Sequence, residues 1–430
     1  MRPSLKALLA VPLLVLGLTT GCGNGDADNV RTTITYWANP AAATPEQHLA
    51  VLEPLLKRFT KNTGIKVKVE MQDWTKVYPK IVTGIANDSL PDVFDTGATW
   101  AAALQATGGL KEFGAADFDA LGGRDRFLAS SLAATGVPGP TSAVVPFYGQ
   151  AYGLVYNPKL FTAAGIKAPP TTWDEFVADA NKLTRKGQWG VAFGGAGPLL
   201  NVHQAFILGR QEGAQLFSAS GKPTFDTPQE RAGVRRLLDL MAVDKVIDPS
   251  MIEKNGVDMA LEFAKGKTGM MFAQSAVIGL LKSVSFSDYA VAEVPVPQPL
   301  AEGGSPVQSI VAGTNLAVSA TSEHAEAALE LVKYLTSDAV QVTVNQAFGT
   351  LPVLTSLQGA PDFADPALAV FAQIQARHSE PMPLVPAEFA MEQVLGPELV
   401  SLWPKAADGS LTDDDIGKAL RKAQAQLPKS

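Results

Sequence analysis

From Ile34 to Gly109 the apolar pattern switches repeatedly between a period of two and a period of 3.6, and this alternation limits the fold more than any other feature. Ile34-Thr35-Tyr36-Trp37 reads as a short strand. Thr44-Pro45-Glu46-Gln47 opens a helix: Thr caps, Pro takes the first turn and Gln occupies the capping-box position. Leu52, Leu55, Leu56 and Phe59 continue it at helical spacing, with Pro54 predicting a kink or restart, and Asn62-Thr63-Gly64 ends it. Ile65, Val67, Val69 and Met71 then alternate with Lys66, Lys68 and Glu70 as a half-buried strand. Trp74, Val77, Tyr78, Ile81 and Ile85 form a second helical stripe, Pro91 to Asp95 a third strand, and 99–107 a helix before Gly108-Gly109. A βαβαβα run of this kind implies a largely parallel sheet with helices on its faces.

A second α/β region begins near residue 150. Tyr152 to Tyr156 reads as a strand, as do Thr268 to Phe272, Tyr289 to Val294 and Ile310 to Ser319. Thr172-Trp173-Asp174-Glu175 and Thr227-Pro228-Gln229-Glu230 are capping boxes. Helices are expected at 323–335, 338–347, 365–376, 387–403 and 412–426, and the Pro/Gly-rich stretch Pro295 to Pro306 is a boundary. A chain of 430 residues exceeds one ordinary core, so two domains are expected. With 46 % hydrophobic and 18 % charged residues it is globular rather than disordered. A net charge of −7 excludes a bulk basic field for nucleic acid.

The N-terminus reads as a targeting segment. Arg2 and Lys6 precede the apolar run Ala7 to Leu18, too short for a comfortable membrane span and right for a signal peptide. Thr19-Thr20-Gly21-Cys22 follows, carrying the chain's only cysteine, and resembles a bacterial lipobox with Thr19 where Leu is usual. On that reading 1–21 is removed, Cys22 is lipidated, and 22–30 tethers the fold to the outer face of the cell membrane. The alternative is a plain signal peptide with an incidental cysteine. One cysteine and four histidines supply no zinc site of the usual kind, so no metal or other cofactor is expected. The nucleophile elbow, zincin, P-loop and dinucleotide fingerprints are all absent from the sequence.

The segment VPFYGQAYGLVYNPKLFTAAGIKAPPTTWDEFVADANKLT at 145–184 resembles the hinge and second lobe of family 1 extracellular solute-binding proteins, the sugar-binding lipoproteins of ABC importers. ITYW at 34–37, FTKNTGIKVKVE at 59–70, PDVFDTGATW at 91–100, FAKGKTGMMF at 263–272, SEHAEAALELVKYL at 322–335 and FGTLPV at 348–353 also fit, in order, over 31–427. The resemblance implies a type-II periplasmic-binding fold, two α/β lobes with ligand in the cleft between them. It places three crossings near 146–151, 300–308 and 345–349. The first lobe would be 31–146 with 308–346 and the second 150–300 with 348–430. It further implies no catalysis, a carbohydrate ligand, ABC permease subunits as partners, attachment to the membrane only through lipid, and a monomer. Two rivals remain: the same role for a glycerophosphodiester or other polyol derivative, and a secreted glycosidase using an acid pair such as Asp73 and Asp95.

Sugars present hydroxyl edges and apolar ring faces, so their sites combine planar hydrogen-bonding side chains with flat aromatics. By the resemblance Trp37 stacks and Asn39 bonds at the end of the first strand, or Trp37 is a core residue. Asp95, Thr99 and Trp100 follow the third strand, where α/β clefts open. Trp74 belongs to a helical stripe and reads as packing, as do Trp173 and Trp403. Tyr148, Gln150 and Tyr152 lie at the first crossing, as contacts or as hinge packing. Asn201 and His203 lie on a Gly-rich loop leading into a helix, and Gln274 and Ser275 follow a strand. Ala276 and Ile278 stand where maltose-binding members carry tryptophans. Thr314 and Asn315 lie where relatives approach ligand with backbone, and Arg377 is a late arginine that bonds either sugar or a surface carboxylate.

Overall fold

A computed structural model describes residues 32–42 and 44–427. The expected signal segment, Cys22 and the tether lie outside them. Among the described residues eleven strands appear in chain order: β1 (Thr32–Ala38), β2 (Ile65–Met71), β3 (Val93–Gly97), β4 (Val145–Gln150), β5 (Tyr152–Tyr156), β6 (Trp189–Ala192), β7 (Thr268–Gln274), β8 (Ala290–Ala292), β9 (Ser309–Ile310), β10 (Ala312–Val318) and β11 (Ser379–Glu380). They form one sheet ordered β2-β1-β3-β10-β4, a second ordered β6-β7-β5-β8, and a short β11-β9 pair. In the first sheet β1 runs parallel to β2 and β3, while β10 is antiparallel to β3 and β4. Each large sheet anchors one α/β lobe.

Local sequence explains most elements. Thr44 accepts from the Gln47 N–H and Gly64 closes the helix Pro45–Thr63 in the left-handed conformation. That helix continues through Pro54 instead of restarting. Pro54 is exposed, so water can solvate the carbonyl it leaves free. The expected helix 99–107 is a 3-10 turn, Ala98–Trp100, followed by the short helix Ala101–Gln105. Gly97 supplies no side chain to cap an α-helical start there.

The two lobes have separate cores. Ile34, Tyr36, Leu52, Phe59, Phe147, Leu316 and Leu331 pack in the first. Leu154, Phe176, Val191, Phe206, Leu237, Phe272 and Trp403 pack in the second. The chain passes from β4 to β5 through Ala151 alone, and again between β8 and β10.

The third crossing, expected at 345–349, falls at the start of a stretch that the two cores share. Phe348, Val353, Leu354, Leu357 and Phe363 still belong to the first core, and Leu354 bridges to Phe127 of that lobe. Leu351 alone of this stretch packs in the second core, which then takes up Leu368, Phe371 and Ile374 of the helix Pro366–Arg377. Most buried apolar side chains of 348–363 thus stay with the first core, and the stretch after the glycine at 349 packs against both.

Candidate functional site

A cavity of about 270 Å³ lies between the lobes. The first lobe contributes Thr99 and Trp100 from the turn after β3, Trp74 from the helix Trp74–Ala86, and Pro40 and Ala41 after β1. The crossing strands contribute Tyr148, Gln150, Ala312, Gly313 and Thr314. The second lobe contributes Leu199 and His203 from the helix Pro198–Gln211, Gln274 at the end of β7, and Glu392 from the helix Glu388–Val400. The cavity-facing groups are thus strand ends and helix flanks, where side chains leave the sheets without breaking them.

The aromatic wall is held by edge contacts. Trp100 meets Trp74 at 5.6 Å and 67° and Tyr78 at 5.3 Å and 78° between ring centroids and planes. Trp74 Nε1 donates to the Pro40 carbonyl at 2.9 Å, which fixes its ring. From the other lobe, Phe389 stacks on Tyr78 at 3.3 Å and 14° and meets Trp100 edge-on at 6.0 Å. The two lobes therefore touch beside the cavity through aromatic rings.

The hinge wall depends on close backbone approach. Gly313 has φ +133, and a Cβ there would lie 2.2 Å from the Tyr148 carbonyl oxygen. Tyr148 is 1 % exposed, and its hydroxyl finds no hydrogen-bond partner of good geometry. Burial pushes that hydroxyl's pKa far upward, so it remains a proton donor.

On the second lobe Tyr152 Oη lies 2.9 Å from His203 Nδ1, and His203 Nε2 lies 3.4 Å from Glu392 Oε1. Tyrosine donating to Nδ1 leaves the proton on Nε2, directed at the Glu392 carboxylate. Tyr152 does not line the cavity; it orients His203, which does.

Seven of the residues singled out in the sequence come together around this cavity: Thr99, Trp100, Tyr148, Gln150, His203, Gln274 and Thr314. The others are used elsewhere. Trp37 packs beside the Trp74–Ala86 helix, its Nε1 donating to Glu70 at 3.2 Å and the Lys80 ammonium lying 3.8 Å over its ring. Asp95 is fully buried, accepting from Tyr36 Oη at 2.7 Å and the Asn39 N–H at 2.8 Å. Burial raises its pKa to about 7 against the pull of those two hydrogen bonds. Asn39 is fully buried, with its side-chain amide unpartnered, and does not line the cavity.

Asn201 anchors the loop before its helix, donating to Gly195 and Gly197 carbonyls and accepting from Trp403 Nε1 at 2.6 Å. Ser275 is fully buried beside the Ala151 backbone. Asn315 turns away from the cavity and donates to the Ala134 carbonyl at 3.4 Å. Arg377 lines a different groove, shared with Leu351, Phe363 and Leu368.

Of the wall residues not expected there, Trp74 and Glu392 carry the aromatic and the ionisable side chain. Trp74 read as packing because its stripe is helical, yet it is the first residue of its helix and is open to the cavity. Glu392 carried a usable signal: with Glu388 it occupies the face that Leu395 and Leu399 bury, where carboxylates are out of place.

The family of bacterial extracellular solute-binding proteins matches residues 42–342. The chain is 26 % identical over 412 residues to the diacetylchitobiose-binding protein DasA of Streptomyces coelicolor, covering 91 % of each chain. Among solved structures it superposes on maltose-bound MalE3 of T. maritima with a TM-score of 0.77 at 22 % identity, covering 92 % of this chain and 99 % of that one. A solute-binding protein of an ABC transporter from Agrobacterium radiobacter, in complex with ribitol, superposes with a TM-score of 0.74 at 24 % identity, covering 92 % and 98 %.

Proposed function

The chain belongs to the bacterial extracellular solute-binding proteins, and from that premise we propose that it is the carbohydrate receptor of an ABC importer, without catalytic activity of its own. It would hold a sugar between its lobes outside the membrane and pass it unchanged to the permease subunits. Cleavage before Cys22 and lipidation of that residue would keep it, as a monomer, at the outer face of the cell membrane.

The observation that carries the ligand class is the make-up of the interlobe cavity. Trp74, Trp100 and Tyr148 offer aromatic surface, while Thr99, Gln150, His203, Gln274 and Thr314 offer polar donors and acceptors. None of the described residues lining it is Lys or Arg. That combination suits hydroxyl edges and sugar ring faces. The volume sits near the lower end of the roughly 300–1,000 Å³ of small-molecule sites, which favours a mono- or disaccharide. The relatives' names, one a diacetylchitobiose binder and one maltose-bound, support the same class.

A phosphodiester ligand fits this wall poorly, since Arg377 is elsewhere and the charged side chain present is Glu392. The acid pair considered for a glycosidase is also committed: Asp73 caps the Trp74–Ala86 helix and Asp95 is buried between strands. A thermal-shift screen of residues 31–430 against sugars, sugar alcohols and glycerophosphodiesters tests the proposal. Stabilisation by a sugar recovered unchanged is expected. No shift with any sugar at millimolar excess, or a sugar that is consumed, would overturn it.

A further inference from the structure

The cavity wall contains an electrostatic arrangement that a neutral sugar does not need. Glu388 and Glu392 sit one helical turn apart, each 1 % exposed, in the first two turns of the helix Glu388–Val400. Both oxygens of Glu388 and Oε2 of Glu392 lack a donor from the rest of the protein. No Lys or Arg among the described residues pairs with either carboxyl. The groups facing the pair are Tyr78 from the Trp74–Ala86 helix, Tyr152 from β5 and His203 from the Pro198–Gln211 helix. The short helix Ala101–Gln105 beside it carries nothing titratable. In the neighbouring helix Asp413–Gln426, Lys418, Arg421 and Lys422 pair with Asp414, Asp226 and Glu398 instead.

Two buried carboxylates one helical turn apart repel, and that repulsion favours the protonated form of Glu388. Burial, followed by the charge of Glu392, raises the pKa of Glu388 well above the usual carboxylate range. Glu392 itself reaches the cavity, where the Tyr148 hydroxyl is a second buried polar group without a good partner. The wall therefore presents one carboxyl at the cavity with a second, buried one behind it.

Resting on the carbohydrate reading above, we propose that Glu392, backed by Glu388, selects a sugar bearing a protonated amine. The ammonium would pair with Glu392, and the added positive charge would let Glu388 release its proton to solvent on binding. A neutral or N-acylated sugar brings no such charge and should release none.

Isothermal titration of the intact mature chain with matched pairs, glucosamine against glucose and a glucosamine disaccharide against its N-acetylated form, tests this. Tighter binding of the free-amine members is expected. Their apparent enthalpy should change between buffers of different ionisation heat in proportion to on the order of one proton released. Affinity for the amine should rise from mildly acidic to neutral pH, because release of a proton is favoured as pH rises. Glu392→Gln should cost the amine member about 30-fold or more and level the pair. Glu388→Gln, which keeps a donor to Glu392 but no exchangeable charge, should retain the amine preference and abolish the buffer dependence.

Equal or tighter binding of the neutral members, or an amine affinity untouched by Glu392→Gln in a variant that melts like the parent, would overturn the proposal while leaving the carbohydrate reading intact. Silence from every sugar would remove both.

Discussion

Single residues at this cleft divide sharply between those that meet the cavity and those that hold others in place. Asp95 is of the second kind, bridging the end of β1 to β3 through Tyr36 and Asn39. Its pKa is about 7 in the fold and 3.8 ordinarily, so folding favours its protonated form. The stability this contributes is complete below the ordinary value and is lost as pH rises through about 7, a change on the order of 4 kcal/mol. Asp95→Asn can still accept from the Asn39 N–H and donate to Tyr36 Oη without ever ionising. Urea denaturation across that pH window should show a flatter stability profile than the parent, and an unchanged slope would refute the assignment. Trp100→Ala removes a buried ring that touches Trp74, Tyr78 and Phe389, and should cost about 3–5 kcal/mol in the same measurement.

At the scale of elements, the site depends on how closely β10 approaches β4. Their register shifts between Thr314 and Asn315, next to the positive-φ Gly313. That shift sends Thr314 into the cavity and leaves Asn315 facing Ala134. Gly313→Ala would press a methyl against the Tyr148 carbonyl in a strained backbone conformation. A loss of about 1–3 kcal/mol and a lower melting temperature are expected. Gly303→Ala, also at positive φ but with open space around it, should cost less, and equal losses at both positions would show that the strand contact is unimportant.

For the whole molecule, the contact between Phe389 of the second lobe and Tyr78 of the first bears on closure. Its stacked geometry belongs to a state in which the lobes meet. Phe389→Ala should shift the ligand-free chain towards an open form, seen as a larger radius of gyration in solution scattering. It should weaken sugar binding by roughly tenfold, since the closed state then has to be purchased from binding energy. A scattering profile identical to the parent would mean that the contact does not govern the lobe equilibrium.

What the sequence by itself determined is local. Period-two and period-3.6 patterns, capping residues and glycine stops specify the strands and helices, because each depends on neighbours a few positions away. The resemblance along 31–427 added the two-lobe plan, and with it the turn after β3 and the strands at the first crossing as the place of the site. Only the tertiary structure decided which side chains at those places face the cavity. Trp37 and Asn315 differ from Trp100 and Thr314 in the direction their strands and turns give them, which twist and a register shift set. Around the third crossing Phe348, Val353 and Leu354 pack in the first core and Leu351 in the second, a choice between two cores that local pattern does not encode. Glu388 and Glu392 were visible as carboxylates on an apolar stripe. That their helix lies against His203 and the other lobe's aromatics depends on contacts between residues some two to three hundred positions apart, and those exist only once both lobes have folded.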